Sequence, residues 1–205
     1  RLDENSDLKY LCAAGVTFMF LISLNKFLKA DKWFEKNKIN EPNLLNYLDL
    51  VALGTICDVV PLIGLNRAIV KQGLRILRSK KNLGLKVLTE ICDINTHLSV
   101  YHIGYMIGPR INAGGRVGKS SHGANLLMDN NAKNVYEIAI ELDHSNKERQ
   151  HLEKEVLDLV LSELGDSVLD PVIIINRKNL HEGVIGIVAS RIKDKFNKPV
   201  IIISL

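Results

Sequence analysis

The sequence predicts an α/β chain that is helical for most of its length and closes on one β-α-β unit. Three observations predict it. Apolar residues recur at helical spacing up to Gly165, Asp129-Asn130-Asn131 precedes a helical pattern over roughly 132–164, and two β-branched runs, Val172–Ile175 and Val200–Ile203, flank one further helical stretch. Uninterrupted β-branched runs suit buried strands of a parallel sheet, joined by a crossover helix.

The elements follow in order. Residues 7–30 carry apolar side chains nearly all round (Leu8, Leu11, Val16, Phe18, Met19, Leu21, Ile22, Leu24), the pattern of a helix buried in a core, with Trp33 and Phe34 closing it. Pro42 suits the first turn of a second helix through Leu44, Leu48, Val51 and Ala52 that ends at Gly54. Asn66 is placed to cap a helix over 67–79, and Asn82 a shorter one over 83–91. Ser99 or its neighbours open a helix through Val100, Ile103, Met106 and Ile107, and another short helix runs from Ser120 to Met128. The long helix, capped near Asn131 and closed at Gly165, has a polar waist of Asp143, His144, Arg149 and Gln150, which reads as a connector between domains. After it come the first strand, a helix from Glu182 to Phe196, and the second strand.

At 205 residues, 46% hydrophobic and 24% charged, the chain suits one good core, or a domain and part of a second. No apolar run approaches the roughly 20 residues of a membrane span, and the start is not an export signal, so a soluble cytoplasmic protein is expected. The first residue is not Met and the last residues lie within a strand pattern, so both ends read as cut. Cys12, Cys57 and Cys92 are odd in number and widely spaced among apolar neighbours, as reduced core thiols are. The net charge of +4 is unevenly spread: no acid stands between Asp58 and Glu90, while Arg67, Lys71, Arg75, Arg78, Lys80, Lys81 and Lys86 accumulate. The first four share a helical face, which suits either a nucleic-acid backbone or a merely solvated surface.

Three segments could carry chemistry. Gly108-Pro109-Arg110-Ile111-Asn112-Ala113-Gly114-Gly115-Arg116 sets two guanidiniums and an amide into what reads as a glycine-rich, phosphate-binding turn, or else a plain solvent-facing one. Asp58, in an apolar setting after a helix, is either a metal ligand or a structural cap. His181-Glu182-Gly183 opens a helix at the carboxyl edge of a strand, where phosphates bind, though Glu182 could equally cap the helix and Gly183 allow close packing. His144 and His151 lie two turns apart, roughly 10 Å along the axis, too far to share a metal, and His97, His102 and His122 read as structural or exposed. These residues alone do not assemble a complete active site.

Three blocks in this order resemble the RecJ type of single-stranded-DNA-specific 5′→3′ exonuclease, within the DHH phosphoesterase superfamily: Leu50–Leu62, containing Gly54-Thr55-Ile56-Cys57-Asp58-Val59-Val60-Pro61; Gly108–Arg116; and His181–Arg191. The resemblance spans essentially the whole chain. It implies the mainly helical C-terminal part of a DHH domain over 1–130, a connecting helix over 131–167, and the start of a DHHA1 domain over 168–205. It further implies a metal-dependent exodeoxyribonuclease of DNA repair and recombination, with single-stranded DNA as partner. Asp58 would ligate one ion of a two-metal manganese or magnesium site and be catalytic through it, and Arg110, Asn112, Arg116, His181 and Gly183 would contact phosphate. The family's Asp-x-Asp and Asp-His-His motifs should precede Arg1, and its Gly-Ser-x-Arg-Ser motif should follow Leu205, so the chain by itself is expected to be nuclease-dead. Two alternatives stand beside this: a non-catalytic remnant that binds single strands, and a superfamily member acting on short oligonucleotides or other small phosphate esters.

Overall fold

The computed structural model describes residues 5, 6, 8–79, 81–165 and 170–205. Asp7, Lys80 of the basic run and the expected 167/168 domain boundary lie outside them. The chain divides into two compact units, Arg1–Gly108 and Pro109–Leu205.

The first unit is helical. Its elements are α1 (Ala13–Ala30), the single turn α2 (Trp33–Lys36), a 3₁₀ turn (Leu44–Tyr47) running into α3 (Leu48–Cys57), α4 (Gly64–Arg78), α5 (Leu83–Ile91) and a π-helical stretch (His102–Ile107). Leu11, Phe18, Leu48, Val51 and Ile69 form a core, joined by Met19, Leu44 and Ile76. The N-terminus of α1 is capped by the Cys12 thiol, which accepts from the Gly15 N–H at 3.4 Å, and that of α5 by Asn82, which accepts from Leu85 N–H at 3.0 Å.

Several expectations for this unit are corrected. Within α1 only Gly15 and Phe18 are buried, while Phe20 and Phe27 are 63% and 70% exposed, so this helix packs by one stripe and is not buried all round. At 18 residues with a mean hydropathy of 1.3, α1 is also long and apolar enough to cross a membrane by length and composition alone, contrary to the reading that no run comes close. Helix α3 continues through Gly54 to Cys57, because the glycine lets α1 approach: a Cβ there would lie 2.9 Å from that of Ala14. Asn66 is no cap. It is buried inside α4, where its amide donates to the Tyr10 carbonyl at 2.8 Å and the Pro61 carbonyl at 3.0 Å. Cys12 and Cys92 are buried as expected, but Cys57 is exposed.

The second unit takes up the rest of α6 (Gly108–Val117), then α7 (His122–Met128), α8 (Ala132–Leu164), β1 (Ile173–Arg177), α9 (Glu182–Phe196) and β2 (Val200–Ser204). Asn131 caps α8, accepting from Lys133 and Asn134 N–H at 3.0 and 3.2 Å. Strands β1 and β2 pair in parallel, Ile173 beside Val200 through Arg177 beside Ser204, as the β-branched runs predict. Val156 and Val160 of α8, Ile173 and Ile175 of β1, and Val184, Val188 and Ile192 of α9 close one core. The strands are covered on one face only: Ile174, Ile201 and Ile203 are 64%, 50% and 42% exposed, whereas their runs suggested burial on both faces. Helices α8 and α9 supply the covered side.

Candidate nucleic-acid interface and metal-ligand position

The segment 108–116 is a helix and not a glycine turn, which corrects the sequence reading. Two features make this possible. The backbone widens into π geometry just before Pro109, with the Gly108 N–H bonded to the carbonyl of Ile103 five residues back, and that register accommodates a residue that has no N–H and crowds the preceding turn. Beyond it, tertiary contacts override the poor helix propensity of Gly114 and Gly115: Ala113 and Gly114 are buried, and Arg110 is anchored from the side.

The anchor is Asp143 of α8. Arg110 Nε donates to Asp143 Oδ1 at 2.8 Å and Lys147 Nζ meets Oδ2 at 2.8 Å, with the Arg110 and Asp143 side chains 17% and 12% exposed. Burial alone would raise the Asp143 carboxyl, but the hydrogen bonds from Lys147 and Arg110 outweigh it and hold the group below the usual carboxylate value. Asn112 and Gly115 face solvent on α6. Arg116 Nη1 donates to the carbonyl of Gly183 at 3.0 Å, joining the C-terminal end of α6 to the first turn of α9.

His181 is the N-cap of α9. Its Nδ1 accepts from the Gly183 N–H at 3.1 Å, so the histidine, rather than Glu182, performs the capping. Gly183 permits close packing, since a Cβ there would fall 2.3 Å from the Arg116 carbonyl oxygen. The structure therefore brings Arg116, His181 and Gly183 together and sets Arg110 against Asp143.

Sequence reasoning missed the neighbours that hold this region. The polar waist of α8 has one buried side, with His144 and Gln150 exposed on the other: Asp143, Asn146 and Glu153 are nearly inaccessible, and Arg149 donates to Glu153 Oε2 at 2.6 Å and to Asn146 Oδ1 at 3.1 Å. Glu153 Oε1 meets Arg191 of α9 as an ion pair, not as a directed hydrogen bond, and Arg149 Nε is buried without a partner. Burial first, then the like charges of Arg116 and Arg191, hold the Arg149 guanidinium below its ordinary value against the pull of Glu153. Arg149 and Arg191 thus share one buried carboxylate, and the like charge of Arg116 lies close enough to act on Arg149. The signal available in sequence was the spacing 143, 146, 149 and 153, which places these polar residues on one helical face.

Asp58 lies in the first unit, at the C-cap of α3, and is exposed rather than set in an apolar pocket. The next residue, Val59, is held at φ 52° with 87% of its surface exposed, an uncommon conformation for a β-branched residue. An exposed carboxylate oxygen is a hard donor suited to manganese or magnesium, so Asp58 fits as one ligand. Among the described residues no three His, Cys, Asp or Glu side chains cluster, so a complete metal site is not assembled from them. A cleft of about 530 Å³ between α7 and α8, lined by His122, Asn125, Asp129, Glu137 and Glu141 among others, contains none of the expected site residues.

No family model matches the chain. It is 40% identical over 154 residues to the single-stranded-DNA-specific exonuclease RecJ of Escherichia coli, covering 74% of this chain and 27% of that protein. With RecJ of Thermus thermophilus the identity is 34% over 150 residues, covering 73% and 21%. The chain spans about a quarter of the length of these curated relatives. Among solved structures, exonuclease RecJ bound to manganese superposes with a TM-score of 0.81 at 34% identity, covering 98% of this chain and 49% of that one. RecJ of Thermus thermophilus in complex with Mg²⁺ gives a TM-score of 0.73 at 35% identity, covering 83% and 27%.

Proposed function

Because the chain belongs to the RecJ family, we propose that it is the strand-holding segment of a metal-dependent single-stranded-DNA exonuclease acting from the 5′ end. The observation that carries this reading is the junction of α6 with α9, where Arg116 is fixed against Gly183 beside the capped helix start and Asn112 stands exposed one turn earlier. Fixed guanidiniums and an exposed amide are phosphate donors that need little ordering when a strand arrives. Arg110, pinned by Asp143, positions this face. Asp58 contributes one carboxylate to the metal site. An ion of manganese or magnesium held there would supply Lewis-acid activation of a water and neutralisation of charge on the scissile phosphate. Aromatic residues are only 5% of the chain, so backbone contact outweighs base stacking, consistent with cutting without sequence preference.

A test is binding of the chain to a 5′-phosphorylated single strand by fluorescence anisotropy. Asn112→Ala and Arg116→Gln are each expected to weaken binding by about tenfold, the worth of a charge-assisted hydrogen bond. Unchanged affinity in both removes this face from the interface. A second reading, a module that holds strands without cutting, is favoured by the lack of a three-residue metal cluster among the described residues. Under either reading the chain alone releases no nucleotides with manganese, and release by the purified chain refutes that statement.

A further inference from the structure

We infer that the outer face of α4 is a second contact for the phosphodiester backbone, a rail on which single-stranded nucleic acid lies as it runs past the Asp58 end of α3; this rests on the strand-holding reading above. The segment from Val59 to Thr89 holds no aspartate or glutamate. Within it Arg67, Lys71 and Arg75 are exposed at successive i, i+4 positions of α4, so their stems rise about 6 Å apart along one face. Among the described residues none of the three is paired with a carboxylate; Arg75 is steered only by Gln72, whose Oε1 accepts from its Nη1 at 3.2 Å. The fourth cation of the sequence stripe drops out, because Arg78 turns away and donates twice to the Leu98 carbonyl, at 2.9 and 3.3 Å.

The rail is rigidly mounted. The opposite face of α4 buries Ile69, Val70, Gly73 and Leu77, and Gly73 sits so close to α3 that a Cβ would lie 2.3 Å from both Ala52 Cβ and the Leu48 carbonyl oxygen. Asn66, at the start of α4, grips the Pro61 carbonyl in the segment that follows Asp58. Helix α4 therefore runs back along α3, with Arg67 nearest the Asp58 end and Arg75 farthest. Unpaired cations at a regular rise, on a helix that cannot rotate, fit a repeating polyanion better than a folded acidic surface, and two arginines can each grip phosphate through a fork.

The test measures the salt dependence of binding of the whole chain to fluorescein-labelled oligo-dT. Each lost phosphate contact removes roughly 0.7 from the slope of log affinity against log salt for a single strand, so the combined Arg67→Gln, Lys71→Gln, Arg75→Gln variant should lose about 2. A charge-matched control, Lys26→Gln with Lys32→Gln and Lys38→Gln, should keep the native slope, as should the swap Arg67→Lys, Lys71→Arg, Arg75→Lys. An unchanged slope in the Gln triple overturns the rail and leaves the α6–α9 reading standing. An equal loss in the control, or a loss in the swap, also overturns it, as does loss of oligoglutamate binding with strand binding intact. Failure of the native chain to bind strands overturns both readings.

Discussion

Replacing the adjacent glycines of α6 one at a time separates a helix from a glycine turn within 108–116. Neither Gly114 nor Gly115 has a positive φ, so neither needs glycine for its backbone angles. A Cβ on Gly115 meets nothing within 4 Å, and Ala there should raise stability by about 0.5–1 kcal/mol, the helix propensity difference. A Cβ on Gly114 would sit 2.7 Å from the Lys119 carbonyl oxygen and 3.1 Å from Leu142 Cδ2. The carbonyl belongs to backbone and cannot swing aside, so Gly114→Ala should cost about 1–2 kcal/mol through overpacking. The two variants should differ by about 1.5–3 kcal/mol, or roughly 3–12 °C in midpoint for a chain of this size. Urea unfolding followed by far-UV circular dichroism reads this directly, with an unchanged m-value marking a true stability effect. If Gly115→Ala destabilises as much as Gly114→Ala, these residues form a turn and the helical reading is wrong.

Further expectations concern α8 and α9 in the second unit and Asp49 and Val59 in the first. Gly183→Ala should cost about 1–3 kcal/mol by forcing α9 off Arg116, whereas Gly186→Ala on the same helix, with open space at its Cβ, should gain about 0.5–1 kcal/mol; equal effects in calorimetry would contradict the close approach. The Asp143 carboxyl is held below its ordinary value, so its stabilisation is fully present above the unfolded pKa near about 4 and is lost as pH falls through the lower folded one. Asp143→Asn should lower stability by about 3 kcal/mol at neutral pH and flatten the acid limb of the stability profile; a native acid limb in the variant would place the titrating group elsewhere. Asp49, buried in the first turn of α3, has its carboxyl raised chiefly by burial, so it destabilises the folded chain as pH rises through that range, and Asp49→Asn should raise the unfolding midpoint at pH 7 but not below pH 3. Val59→Asn should stabilise by about 1 kcal/mol by relieving the left-handed backbone without loss of packing, and a fall in the unfolding midpoint would show that the strain is absent.

Much of the fold was legible because local signals agreed with tertiary packing. Asn82 and Asn131 cap the helices whose starts they mark, and the β-branched runs pair in the parallel register that a crossover helix demands. The likeness to RecJ was legible because the motif blocks Leu50–Leu62, Gly108–Arg116 and His181–Arg191 are specific. The polar waist of α8 was read as the mark of a connector between domains, because sequence alone does not show which cations meet its carboxylates. Only the folded chain shows that Asp143 meets Arg110 from 33 positions away, and that Glu153 meets Arg191.

The amino-acid sequence by itself determined which runs become strands, where α5 and α8 are capped, and the likeness to RecJ. Those properties are local, or are preserved as motifs along the chain. Tertiary structure alone decided that Gly108–Val117 is a helix, that His181 caps α9 while Arg116 grips Gly183, that Arg78 leaves the basic stripe, and that α1 keeps most of its apolar surface exposed. Each depends on which distant backbone or side chain comes within reach. A glycine pair disfavours a helix by only about 1 kcal/mol per residue, and an arginine pairs with whatever carboxylate, carbonyl or phosphate the fold sets before it, so at these positions the choice falls to long-range packing.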